Sequence, residues 1–113
     1  MKRGVEAEAM AAAFLEHNGL KILARNYRCR LGEIDLVARE GDTTVFVEVR
    51  SRRSSAFGGA AASITAAKRQ RLLKAARHYI SRQRALPQCR FDALLIQGEP
   101  PRIEWLRNAF GDQ

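Results

Sequence analysis

The 113-residue chain is expected to fold as one α/β domain, a mixed β-sheet with helices packed on it, in the order α, β, β, β, α, β, β. Two patterns predict this. Apolar residues recur at helical spacing in two stretches, and β-prone runs bounded by turn residues fill most of the remainder. Composition agrees, since 46% apolar and 28% charged residues supply one modest core and exclude a disordered chain.

Residues 4–18 read as a helix, with Ala7, Ala11, Phe14 and Leu15 on one face and Gly19 as its stop. Three β-rich stretches follow, at residues 21–29, 33–39 and 43–51. Residues 52–62, containing Ser54, Ser55, Gly58 and Gly59, read as a loop. The spacing then predicts a long helix over 65–84, with an apolar stripe of Leu72, Ala76, Tyr79 and Ile80. Arg71, Lys74, His78 and Arg82 repeat on another of its faces, and Pro87 ends the region. Short strands are expected at 90–97 and 102–107, separated by the turn Gly98-Glu99-Pro100-Pro101. No internal repeat or long linker divides the chain, so residues 1–113 are taken as a single domain.

Charge narrows the class of partner. Twenty Lys and Arg against twelve Asp and Glu leave a net charge of +8 and a pI near 10.5, a field that favours polyanions. No apolar run approaches the roughly 20 residues needed to span a bilayer. Glu6 and Glu8 interrupt what would be the apolar core of a signal peptide after Met1-Lys2-Arg3. The expectation is a cytoplasmic protein with no membrane partner. Cys29 and Cys89 form neither a zinc nor a redox motif and are expected to be free thiols.

The most informative stretch is Gly32-Glu33-Ile34-Asp35-Leu36-Val37, followed by Val45-Phe46-Val47-Glu48-Val49-Arg50. Gly41 and Asp42 lie between the two runs as a two-residue hairpin turn, where Gly accepts a positive φ. That turn pairs Glu40 with Thr43. Counting outwards places Val37 opposite Phe46, Asp35 opposite Glu48 and Glu33 opposite Arg50. One face of the hairpin is then Ile34, Leu36, Val47 and Val49. The other carries Glu33, Asp35, Glu48 and Arg50, with Val37 and Phe46 beyond them.

Opposed carboxylates repel. A divalent cation bridging Asp35 and Glu48 would relieve that repulsion, because hard cations take oxygen ligands. An exposed face, with Glu33 paired to Arg50 and the other acids hydrated, accounts for the same residues, and a one-residue slip would separate the pair. Glu8 lies at the rim of the first helix's apolar stripe, near Leu15. From there a docked helix could aim a third carboxylate at the same point, although Glu8 also suits an exposed helix N-terminus.

The chain resembles the YraN family of bacterial proteins. The likeness rests on Gly4-x-x-x-Glu8-x-x-Ala11, Arg25-Asn26-Tyr27-Arg28, Gly32-Glu33-Ile34-Asp35-Leu36, Phe46-Val47-Glu48-Val49-Arg50, Phe57-Gly58, Lys68 and Arg90-Phe91-Asp92. It covers nearly the whole chain in order. That family is in turn similar to the PD-(D/E)xK nucleases, notably the archaeal Holliday-junction resolvases. The resemblance therefore implies a restriction-endonuclease-like fold, a mixed sheet flanked by helices. It implies Asp35 and Glu48 as the two strand acids and Glu8 as the helix acid. Arg50 stands where the nucleases carry a lysine. Arginine stays protonated and cannot act as a base, but it can hold a phosphate.

The function these residues imply is a nucleic-acid-binding phosphodiesterase, endonuclease-like and dependent on Mg²⁺ or Mn²⁺, with DNA as the expected nucleic acid. Asp35, Glu48 and Glu8 would be the metal ligands, with Glu33 supporting the site or pairing with Arg50, and Arg50 on the phosphate. Arg52, Arg53, Lys68, Arg71, Lys74 and Arg82 would grip backbone phosphates. Phe57 and Gly58 are placed in the loop that follows the motif strand. Resolvase-like enzymes often act as dimers, so the analogy also allows a homodimer. A binding module without the chemistry and a structural partner in a nucleic-acid-processing complex fit the same residues, and Arg50 favours the former.

Overall fold

The computed structural model describes residues 2–52, 65–84 and 86–109, with the side chains of residues 2–5 and 52 outside that description. Its elements are α1 (Lys2–His17), β1 (Lys21–Cys29), β2 (Gly32–Glu40), β3 (Thr43–Arg52), α2 (Ala66–Ser81), β4 (Gln88–Gln97) and β5 (Arg102–Leu106). This is the predicted order, a mixed α/β layout. The five strands form one sheet in the order β1-β2-β3-β4-β5. Every neighbouring pair is antiparallel except β3 and β4, which run parallel because α2 and its flanking segments cross over between them.

The two helices cover opposite faces. Ala7, Ala11, Ala12 and Leu15 of α1 pack on Leu36, Ala38, Val45, Val47, Val49, Leu94 and Ile96. Leu72, Ala75 and Ala76 of α2 pack on Ile34, Val37 and Phe46, flanked by Tyr27, Tyr79 and Phe91. Phe14 meets Trp105 edge-on, with ring centroids 6.0 Å apart. β2 and β3 are thus buried on both sides, which explains why their central residues form nearly continuous apolar runs.

Several bounds differ from expectation. α2 begins after Thr65, whose hydroxyl accepts the Lys68 N–H at 3.2 Å as an N-cap. It ends at Ser81 rather than 84, with Arg82 as the C-cap. Its buried residues are Leu72, Leu73, Ala75 and Ala76, while Tyr79 and Ile80 are only half-buried. β4 starts two residues earlier than predicted, at Gln88, because parallel pairing with β3 begins at Thr43↔Gln88. β3 extends through Arg52, which was expected to open the loop, whereas the rest of the predicted loop, with Arg53, Phe57 and Gly58, lies outside the described residues. No helix among the described residues is long and apolar enough to cross a membrane, and Cys29 and Cys89 are free thiols.

Candidate functional site

The hairpin register near the turn is the one derived from the sequence. Glu40 pairs with Thr43 and Val37 with Phe46. Gly41 has φ 59° while Asp42 keeps a negative φ, as a II′-type hairpin turn requires. Beyond Leu36↔Val47 the ladder stops. Asp35 and Glu48 are therefore not ladder partners, and Glu33 does not oppose Arg50. β2 continues instead along β1, where Glu33 faces Arg28 with side chains 3.7 Å apart, while β3 continues along β4 to Arg52. The two strands part here while each keeps its other neighbour.

Strict alternation also fails here. Ile34 packs with Val37 and Phe46 on the α2 side, not with Leu36 on the α1 side as expected. The change of face falls beside Asn26, between the pairs Arg25↔Leu36 and Tyr27↔Ile34. Asn26 has φ 51°, a left-handed conformation that asparagine tolerates better than most residues. On β1, Ala24 and Tyr27 consequently both face α2, three residues apart.

Where the strands part, Asp35 fills the gap. Its Oδ2 accepts the main-chain N–H of Val49 at 2.8 Å, replacing the bond that the ladder no longer supplies. A pocket of about 330 Å³ opens at this point, lined by Glu33, Asp35, Glu48, Arg50, Lys68 and Arg71. The strands contribute the first four, and the first turns of α2 contribute the two last. α2 comes this close because Gly32 has no side chain: a Cβ there would lie 2.5 Å from the carbonyl oxygen of Arg71.

Glu48 is 7% exposed and its pKa is pushed up to about 8. Burial is the main cause, and the negative charge of Asp35 and a hydrogen bond with it add to the effect. Arg50 and Lys68 pull the other way. Arg50 forms an ion pair with Glu48 through Nη2, while its buried Nε has no partner among the described residues. Acid and base are thus interleaved in one cleft: a buried carboxyl whose pKa is raised, a second acid hydrogen-bonded to it, and a guanidinium paired with the first.

The other predicted site residues are more scattered. Glu8 is half-buried on α1 and does not line the pocket, although it lies within electrostatic reach of Asp35 and Glu33. Burial raises its pKa, a hydrogen bond with Asn26 lowers it, and the two acids raise it further. Among the described residues no three His, Cys, Asp or Glu side chains converge closely enough to hold a metal ion by themselves. Lys74 on α2 and Arg82 at its C-cap are exposed and are not among the residues lining the pocket. Arg53 and the side chain of Arg52 lie outside the described residues.

Sequence reasoning assigned no role to Asp92, which is fully buried. It accepts hydrogen bonds from Arg90 Nε at 3.0 Å, Trp105 Nε1 at 2.9 Å and the Asn108 N–H at 2.8 Å. Arg90 and Arg107 also pair with Glu40, and the Arg107 guanidinium lies 3.9 Å from the centre of the Trp105 ring. This network ties the β2–β3 hairpin to the end of the chain and makes Asp92 a structural acid. Its signal in the sequence is a single charge inside the apolar run Phe91-Asp92-Ala93-Leu94-Leu95-Ile96.

The profile of the uncharacterised protein family UPF0102 matches residues 7–96, which contain every element of this cleft. The chain belongs to that family. A UPF0102 protein of Nitrosomonas europaea is 59% identical over 111 residues, covering 97% of this chain and 94% of the relative. One from Nitrosomonas eutropha is 54% identical over 110 residues, again covering 97% and 94%. One from Cupriavidus taiwanensis is 55% identical over 109 residues, covering 96% of this chain and 82% of its own length. The YraN-like resemblance seen in the motifs is membership of UPF0102.

Proposed function

We propose that this UPF0102 protein binds nucleic acid, DNA above all, and cleaves its phosphodiester backbone with the help of Mg²⁺ or Mn²⁺. The observation that carries the reading is the meeting of Asp35 and Glu48 at the parting of β2 and β3, in a cleft they share with Arg50, Lys68 and Arg71.

The donor set fits a divalent cation. Two carboxylates close enough to raise the pKa of one of them lose that repulsion when a cation replaces the proton. Mg²⁺ is commonly held by only one or two carboxylates, with water and substrate phosphate completing its shell. The third acid lining the cleft, Glu33, is engaged by Arg28, which leaves Asp35 and Glu48 for that mode, and Glu8 would act through water or not at all. Bound there, the metal would supply a more acidic water and a polarised phosphate.

The chain's own groups have separable tasks. Asp35, fixed by the Val49 N–H and lining the cleft, would be one ligand of the cation. Glu48 must give up its proton to become a ligand, so occupancy should rise with pH. Arg50 can hold a phosphate oxygen once Glu48 turns to the cation and releases its Nη2. Lys68 and Arg71 stand on the opposite wall as cationic contacts for the same phosphodiester. Glu33 is engaged by Arg28 and has a supporting position at the rim.

Calorimetric titration of Mn²⁺ into the wild type, Asp35→Asn and Glu48→Gln, with cleavage assays on linear and branched DNA, tests the reading. Metal binding lost in both variants, with cleavage by the wild type alone, is the expected result. Equal titrations in all three proteins would refute it. The ion pair between Arg50 and Glu48 favours a second reading, in which the guanidinium permanently neutralises the acid and the domain binds nucleic acid without chemistry. In that case DNA binding survives and metal binding is absent.

A further inference from the structure

α2 contains no Asp or Glu in its sixteen residues, against Lys68, Arg69, Arg71, Lys74 and Arg77. Like charges three or four residues apart repel on a helix, so such a helix gives up stability that alternating charges would return. α1, on the other face of the sheet, carries Glu6, Glu8 and Glu16 against Lys2 and Arg3. The charge of the two covering helices is therefore unequal, and the basic side is the one on which the cleft opens.

Within α2 the arrangement is directional. Arg71 lines the cleft, and Arg71, Lys74, His78 and Arg82 follow at helical spacing, all exposed. Among the described residues, no ion pair engages Arg71, Lys74 or Arg82. The stripe passes the β1–β2 edge, where Arg71 abuts Gly32 and His78 Nδ1 is hydrogen-bonded to the Tyr27 hydroxyl. From Arg71 to Arg82 the chain rises about 16 Å, which projects onto about five phosphates per strand measured along the axis of a duplex.

The large apolar side chains exposed among the described residues are Met10, Leu23, Leu31 and Leu86, none of them aromatic. A surface built for single strands stacks bases on aromatic rings; among the described residues the ring exposed on this stripe is His78, already hydrogen-bonded to Tyr27.

We propose that the α2 stripe is a track for the backbone of double-stranded nucleic acid, engaging phosphates rather than bases and leading one strand into the cleft. This rests on the phosphodiesterase reading for what happens at the end of the track, but not for the binding itself.

The test is fluorescence anisotropy with a labelled random-sequence duplex and the corresponding single strand, using Ca²⁺ in place of Mg²⁺ and a series of salt concentrations. Lys74→Ala and Arg82→Ala should each weaken duplex binding about fivefold to tenfold at 0.1 M salt and lower the salt slope by about 0.9. Arg25→Ala is the control, an exposed cation paired across the sheet with Leu36 on the α1 side. It should leave both quantities unchanged, with circular dichroism checking the fold of every variant.

Wild-type affinity in Lys74→Ala and Arg82→Ala, an equal loss in Arg25→Ala, or tighter binding of the single strand would each overturn the track. Parallel Mn²⁺ titrations separate the two proposals. Intact metal binding with no duplex affinity removes the track and leaves the carboxylate site. Stripe-dependent duplex binding without metal binding does the reverse.

Discussion

Replacing Glu48 by Gln removes one ionisable proton and almost no volume, so the change isolates the electrostatic state of the cleft. Without metal, the folded protein holds Glu48 at a pKa of about 8, against 4.5 for the free side chain. A carboxyl whose pKa is raised on folding binds more protons in the folded state than in the unfolded one. The stability it contributes is complete below about pH 4.5 and is lost as the pH rises through 8. Wild type should therefore lose stability relative to Glu48→Gln across that window, and the gap should stay constant at higher pH. Each pKa unit corresponds to about 1.4 kcal/mol. Allowing for the coupling to Asp35, the gap should widen by about 2 to 4 kcal/mol between pH 5 and pH 9.

Urea denaturation in EDTA at several pH values reads this directly, because the variant serves as the baseline for every other titrating group. Addition of Mn²⁺ should then restore wild-type stability at pH 8 to 9 and leave Glu48→Gln unmoved, since bound ligand stabilises only the state that binds it. Parallel pH profiles of the two proteins in EDTA would refute the reasoning, for they would mean that Glu48 ionises freely and that its neighbours impose no strain.

Three further outcomes are expected. Gly32→Ala places a methyl group 2.5 Å from the Arg71 carbonyl oxygen, so α2 must move; about 1 to 3 kcal/mol of stability should be lost by denaturation, with weaker Mn²⁺-dependent activity because Lys68 and Arg71 recede from the strands. Asp35→Ala strips the Val49 N–H of its acceptor, and the unmet donor should cost about 1 to 3 kcal/mol in thermal unfolding besides abolishing the Mn²⁺ titration. Asp92→Ala leaves Arg90, Trp105 and the Asn108 N–H without their shared acceptor; a loss of about 3 to 5 kcal/mol is expected, whereas protein that remains folded should titrate Mn²⁺ as wild type does.

Much of this molecule is legible in its sequence because the relevant information is local. The 3.6-residue and two-residue periodicities locate both helices and all five strands, and Gly41-Asp42 determines the hairpin register as far as Leu36↔Val47. Asp35 and Glu48 are the next residue on each strand, and it is the motif resemblance that singles them out. Their surroundings are not legible in this way. Local pattern contains no signal for where two paired strands part, since that involves how β2 follows β1 and β3 follows β4 on their outer edges. For the same reason alternation placed Ile34 on the wrong face and opposed Glu33 to Arg50: a left-handed Asn26 on the neighbouring strand changes the phase of the pleat.

The sequence by itself determined the elements, their order, the hairpin turn and the excess of positive charge. Only tertiary structure decided that this charge gathers on the α2 side and that Lys68 and Arg71 meet Asp35 and Glu48 across a cleft. It also decided that Glu8 stays at the margin with Asn26, and that Asp92 became a buried hydrogen-bond hub. The physical reason is that periodicity specifies which way a side chain points from its own backbone. What that side chain meets, and how far water is excluded from it, depends on segments distant in the chain whose packing no local spacing encodes.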